Sequence, residues 1–429
     1  MRLLLYFPLV LLFLCSCSSE KPVPAKMLKC IDCHAIETDP NHQIACTTCH
    51  QGITPAKDKT TAHSGITTEP AHPQLMESYC GKCHAEIISQ ISKTAHFTLK
   101  NSTNLFRMSF GASAPLDSFL DTPATENPTT GLELADDLLR RRCFRCHPYN
   151  PGDLYPAVSH GTGCAACHLS FDNGALESHI FVKPDDNHCL SCHYGNYVGF
   201  DYYGRFEHDL NIEYRTPYTT QNRYFRPYGV EYHQLSPDIH QVKGMGCVDC
   251  HSGREMMQPG SEKITCKGCH SHAALERTLP DRVEKSQGVF ILKSKSGQQH
   301  IIPLMQHPAH FNRKEKIACQ SCHAVWTFND IGKHFIRIDT DDVDSLANLT
   351  VQGSLEVENV IENNSDFDKD EIPVQMTDKI TGALKPGIWH RGFNMRRWED
   401  ITLGRDKDGK IAPMRPMLDY HLSWIDDEE

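Results

Sequence analysis

Apolar residues along this 429-residue chain fall into distinct textures. Leu3 to Leu14 is an apolar run behind one basic residue, Arg2, broken only by Tyr6 and Pro8. Its 12 residues fall short of the roughly 20 that span a bilayer, and they have the form of an export-signal core. Residues 18–29 are polar, hold two prolines and show no periodicity, so they read as a tether. From Cys30 to His323 periodicity is weak. A helical repeat is visible around residues 85–93, and the rest predicts short helices between long irregular connections. Residues 111–131 are rich in Gly, Ala, Ser, Thr and Pro and predict a linker, drawn here as 111–139. Past His323 the pattern becomes alternating, as in Phe335-Ile336-Arg337-Ile338 and residues 354–360. Asp408-Gly409 is a turn signal before Lys410-Ile411, so 324–429 reads as a small β-rich appendage without haem motifs.

The weakly periodic stretch is organised by something else. It carries Cys-x-x-Cys-His nine times. The cysteine pairs are Cys30/Cys33, Cys46/Cys49, Cys80/Cys83, Cys143/Cys146, Cys164/Cys167, Cys189/Cys192, Cys247/Cys250, Cys266/Cys269 and Cys319/Cys322. The histidines that follow are His34, His50, His84, His147, His168, His193, His251, His270 and His323. These motifs use 18 of the 20 cysteines. The pattern is the attachment site of c-type haem. Two thiols add across the vinyl groups of one porphyrin edge, and the next residue reaches the iron as proximal imidazole. A single Cys-x-x-Cys would as readily be a zinc half-site or a redox dithiol. Nine pairs is an odd number, however, and zinc ribbons need no histidine after every second cysteine. The sequence therefore predicts nine covalently bound haems c.

Successive motif histidines lie 16, 34, 63, 21, 25, 58, 19 and 53 residues apart. The short gaps leave little room for a protein core. Neighbouring haems are expected to pack on each other and to supply much of the apolar interior, with no stable fold in their absence. The expected layout is a signal (1–17), a tether (18–29), a three-haem module (30–110), the linker (111–139), a six-haem module (140–323) and the β-rich tail. Leu14-Cys15-Ser16-Cys17 resembles a lipoprotein cleavage box, with Cys17 as the lipidated residue and an outer-membrane destination.

Of 26 histidines, 17 lie outside the motifs, more than nine second axial ligands require. The preferred set is His42, His63, His96, His160, His179, His233, His240, His307 and His310. Several sit in recurrent contexts: His42 and His160 lie four residues before a motif, and His240 seven before one. His72, His188, His208, His272, His300, His334, His390 and His421 form the reserve, read as surface histidines or partners of haem propionates. Abundant imidazole predicts bis-histidine haems of low potential.

On these motifs, with CHQG…AHSG, SHGTGCAACH and IHQVKGMGCVDCH, residues 30–323 resemble the multihaem c-type cytochromes of bacteria that respire metals and sulfur or nitrogen compounds. The resemblance implies a fold of mostly short α-helices and coil wrapped around haems stacked in parallel and T-shaped pairs. It also implies a periplasmic or outer-surface location and respiratory electron transfer between redox partner proteins. Catalytic members of that family often replace one motif histidine. All nine are kept here, which favours a carrier over a terminal reductase.

One stretch keeps the reductase reading open. Nine of the 14 tyrosines lie between Tyr194 and Tyr232, interleaved with Arg205, Arg215, Arg223 and Arg226. Fixed guanidinium groups over an open iron would suit a small oxyanion, whereas in a carrier the tyrosines cover haem faces and the arginines pair with propionates. A conductive filament completed by a histidine from the next subunit is a third reading. Asp366, Asp368 and Asp370 hint at a calcium loop but lack the glycine and glutamate of an EF-hand. The formal net charge of −11, to which haem propionates add, excludes nucleic acid and suits basic protein partners.

Overall fold

A computed structural model of the chain describes residues 26–153, 155–172, 174–195, 198–207, 227–228, 232–260, 264–312, 316–323, 327–339, 375–399, 402–414 and 420–425. Within these, the side chains of 206, 207, 233, 327–333, 392–399 and 425 are not described. The signal segment, Cys15, Cys17, most of the tether, residues 354–360, the aspartates 366–370, Arg215, Arg223, Arg226, His208 and the last four residues lie outside. The described residues form 17 short α-helices, three 3-10 turns and 14 strands. No helix among them is long and apolar enough to cross a membrane.

The chain divides into two compact units, residues 1–35 with 45–67, and residues 36–44 with 68–429. The first therefore holds two motifs, and the third motif belongs with the later six. This differs from the division at 111–139 that composition suggested.

In the first unit, Cys30–Asp32 is a 3-10 turn and Cys46–His50 a single helical turn. Asp58 caps the helix Lys59–Ala62, accepting the Thr61 N–H at 2.8 Å. Gly52 has φ +76°, and a Cβ there would stand 2.9 Å from the Ala62 carbonyl, so the glycine after Cys46–His50 is required. Among the described residues of this unit only Ala56 is buried.

The second unit has a protein core of its own. Its main cluster joins Phe106, Phe119, Ala135, Leu138, Leu139 and Phe144 to Phe335, Met376, Ile388 and Trp389. The helix Gly131–Arg141 lies at its centre, opened by a capping box between Thr130 and Glu133. Residues 131–139 are thus the buried helix of the core, and the linker reading fails there. Glycine and proline nearby mark tight turns, and Phe119 is fully buried among them.

The tail packs on this helix. Its strand Thr327–Ile338 runs antiparallel to Ile388–Glu399 and parallel to Tyr420–Ile425. Ion pairs fasten it: Arg140 to Asp378 at 2.8 Å, and Trp389 Nε1–H to Asp137 at 2.8 Å. Arg141 donates to the carbonyls of Pro386 and Gly387. Gly387 has φ +85°, and a Cβ there would collide with Asp339 at 2.1 Å. The expected appendage is therefore half of the largest core. His390 is corrected with it: held in reserve as a surface residue, it is 5% exposed. Asp408-Gly409 makes the expected turn, between Leu403–Arg405 and Ile411–Pro413.

A three-stranded meander, Val283–Ser286, Val289–Lys293 and Gln299–Ile301, stands between the last two motifs. Phe290, Leu292 and Val283 pack with Leu275 and Ile302 beneath it. Nothing in the sequence reading anticipated this sheet.

Candidate haem-attachment sites

Each motif is built as one tight turn. The histidine N–H returns to the carbonyl of the first cysteine at 2.9 Å in His34 and His84, 3.1 Å in His168 and His323, and 2.8 Å in His251. This i to i+4 closure puts both thiols and the imidazole on one side of the turn. Local caps support it. Asp185 accepts the N–H groups of Asn187 and His188, and Thr265 that of Gly268. In SHGTGCAACH the glycines make room: Gly163 has φ +55°, and a Cβ there would sit 1.8 Å from the Ala71 carbonyl oxygen.

Five motif histidines face a second histidine. Ring centres are 6.0 Å apart for His34 and His63, 6.4 Å for His84 and His42, and 6.1 Å for His193 and His96. They are 6.0 Å apart for His270 and His240, and 6.1 Å for His323 and His310. Metal–imidazole bonds are about 2 Å long, so a metal held between two imidazoles sets their centres roughly 6 Å apart. Direct stacking of the same rings would bring them closer, as with His334 and His421 at 5.1 Å.

The outer nitrogens are anchored as ligands require. His50, His168 and His270 pair through Nδ1 with the carbonyls of Thr67, Val182 and Pro303 at 2.8–2.9 Å. His42 and His240 pair with Asp39 and Asp238, both at 2.7 Å. That leaves Nε2 to face inward. The hydrogen bond to Asp238 raises the His240 pKa, while burial lowers those of His96 and His193 and keeps them neutral.

The other expected ligands are placed as follows. His160 bonds the Gly161 carbonyl at 2.6 Å and brings Nε2 to 3.5 Å from Cys192 Sγ. His179 joins Thr38 in a parallel bridge. His307 packs edge-on to His310 at 6.4 Å. The His233 side chain lies outside the description. Two reserve histidines have stronger claims than expected: His188, held by Asp185 at 2.7 Å, and His300 each bury an Nε2 that no hydrogen bond satisfies. A buried unsatisfied nitrogen asks for an unseen partner, and His188, directly before Cys189, could have been noticed on position alone.

His147 stands apart. It is 2% exposed, packs 4.4 Å from Phe119, and its Nε2 has no hydrogen-bond partner. Burial, with the charges of His160, Lys379 and His72, pushes its pKa down to about 3. Its Nδ1 accepts the Tyr149 N–H at 3.1 Å, the reverse of the polarity expected at the carbonyl-bound motif histidines.

Thiols of different motifs also meet. Cys164 donates to Cys80, Cys192 to Cys146, and Cys247 to Cys189. Cys266 contacts Cys319. Cys167 lies within electrostatic range of Cys189, and Cys250 of Cys269. None of the 18 motif cysteines forms a disulfide. Among the described residues no three Cys, His, Asp or Glu side chains gather as a protein-only metal site, the arrangement zinc would need. The residues present therefore fit haem c, with the motif thiols as covalent anchors and the facing imidazoles as axial ligands.

The described part of the tyrosine-rich stretch is closed on itself. Arg205 lies 5.0 Å from the ring centre of Tyr203, 5.1 Å from that of Tyr232 and 5.8 Å from that of Tyr228. Tyr194 stacks on Tyr228 at 5.1 Å and bonds Arg145. A guanidinium held by cation–π contacts to three rings is largely spent.

Comparison with known proteins finds no matching family, no matching curated protein and no matching solved structure.

Proposed function

We propose that this chain is a nine-haem c-type electron carrier, exported and tethered at the outer membrane through Cys17, that passes electrons between redox partner proteins. The observation that carries the reading is the set of five histidine pairs at 6.0–6.4 Å, each with one member in a Cys-x-x-Cys-His motif. When bound, haem c supplies reversible one-electron chemistry at iron. The protein's share is to hold two imidazoles in line, fix their tautomers through Asp39, Asp238 and backbone carbonyls, and exclude water. Axial pairs of this kind leave no place for a substrate, which favours a carrier over a reductase. Arg205, enclosed by tyrosines, is not presented to an oxyanion.

Carbon monoxide tests the reading, because it binds ferrous haem only where a coordination position is open. The dithionite-reduced protein is expected to show no change in its Soret and α bands under carbon monoxide. Stoichiometric binding at one haem would favour the reductase.

A further inference from the structure

The thiol contacts in the second unit are not evenly distributed. Cys80 of the third motif reaches Cys164 of the fifth. Cys167 of the fifth lies near Cys189 of the sixth. Cys189 meets Cys247 of the seventh, and Cys192 meets Cys146 of the fourth. Cys250 lies near Cys269 of the eighth, and Cys266 meets Cys319 of the ninth. Only the sixth motif, Cys189-Leu190-Ser191-Cys192-His193, touches three others among the described residues. The ninth touches one.

We infer that the sixth motif is a three-way junction, where a file running through motifs three, five, six, seven, eight and nine meets a side branch to motif four. The inference rests on the haem-carrier reading above. Each thiol carries an edge of its own porphyrin, so thiols in contact bring porphyrin edges into contact. The branch ends in the core. His147 is buried against Phe119 and Phe144, and the tail sheet covers the helix that leads into Cys143. The file ends at more open motifs, where Cys83 and Cys322 are exposed. Other contacts gather at the junction. His96 pairs with His193, His251 lies within electrostatic range of His193, and His160 Nε2 approaches Cys192 Sγ at 3.5 Å.

Redox coupling can count neighbours. A methionine ligand raises a haem potential, and the altered charge at each potential is felt by adjacent haems through the low-dielectric interior. The experiment is a spectroelectrochemical titration of the holoprotein and of His96→Met and His310→Met, with haem content checked by mass. In His96→Met one component should rise and three others should shift with it. In His310→Met one should rise and a single neighbour should shift. Equal numbers of shifted components in the two variants would overturn the junction while leaving the carrier reading intact. A wild-type protein without haem would instead sink the carrier reading itself. If either variant loses haem, an experimental structure of the wild-type holoprotein decides. The iron held by His193 should have three near neighbours and that of His323 one, and any other count contradicts the inference.

Discussion

The first unit and the surroundings of the fourth motif solve the same problem in opposite ways. In the first unit two motifs share some 58 residues, with Ala56 the sole buried residue among those described, and Ile31, Ile53 and Ile66 are exposed. At the fourth motif, Phe119, Phe144, Leu138 and Trp389 form a dry protein core, and buried charges are paired around it. Burying apolar area is what stabilises a domain, at about 25 cal/mol per Å². The first unit buries almost none of its own, so the porphyrins must supply its interior. The fourth motif is set into a fold that the polypeptide largely builds unaided.

The strongest way to break this contrast is to remove haem. Preventing attachment at the first two motifs, with Cys30, Cys33, Cys46 and Cys49 all changed to alanine, should abolish hydrogen-exchange protection throughout 45–67. In chain made without any haem, protection should survive longest in Gly131–Arg141 and Ile388–Glu399. Protection in 45–67 without haem would refute the comparison. Next in size is the core itself. Trp389 is fully buried and bonds Asp137, so Trp389→Ala should cost about 3–5 kcal/mol, read from thermal unfolding of the second unit.

Acid acts on one link between the fourth motif and the tail. Asp153 bridges Arg145 at 3.0 Å and Lys379 at 2.7 Å. Burial raises its pKa, but Arg145 and Lys379 outweigh burial and hold it at about 2, below its ordinary 3.8. A depressed carboxyl stabilises the fold above its unfolded pKa, so the contribution is complete above about pH 4 and lost as pH falls toward 2. It amounts to about 2 kcal/mol, and Asp153→Asn should flatten the acid limb of the stability curve by that much. The smallest effects separate two histidines outside the motifs. His390→Ala, in the core, should cost roughly 1–3 kcal/mol, and His272→Ala, on the exposed face of His272–Arg277, less than about 0.5.

The motifs were legible because thioether chemistry fixes their spacing whatever the fold. The second ligands were legible only in part. His42, His63, His96, His240 and His310 were favoured from local context, and each faces a motif histidine. Yet His96 reaches across 97 residues to His193, and no sequence rule names that partner. His188 and His300 were set aside because burial of one ring nitrogen leaves no mark in sequence. Alternation revealed strands in the tail but not their seat. Asp378 pairs with Arg140 across 238 residues, and only the folded chain shows that a cysteine-free tail completes the core beside the fourth motif. The meander was overlooked although Val283–Lys293 carries an apolar β-branched run, because attention to cysteines hid the period between them.

The account rests on porphyrin being joined to the chain at every motif. The intact mass of the purified, mature protein tests this most directly. Nine haem additions, lost neither on denaturation nor on acid–acetone extraction, are expected together with a sharp Soret band. A colourless protein at its bare polypeptide mass, or one carrying zinc, would contradict it.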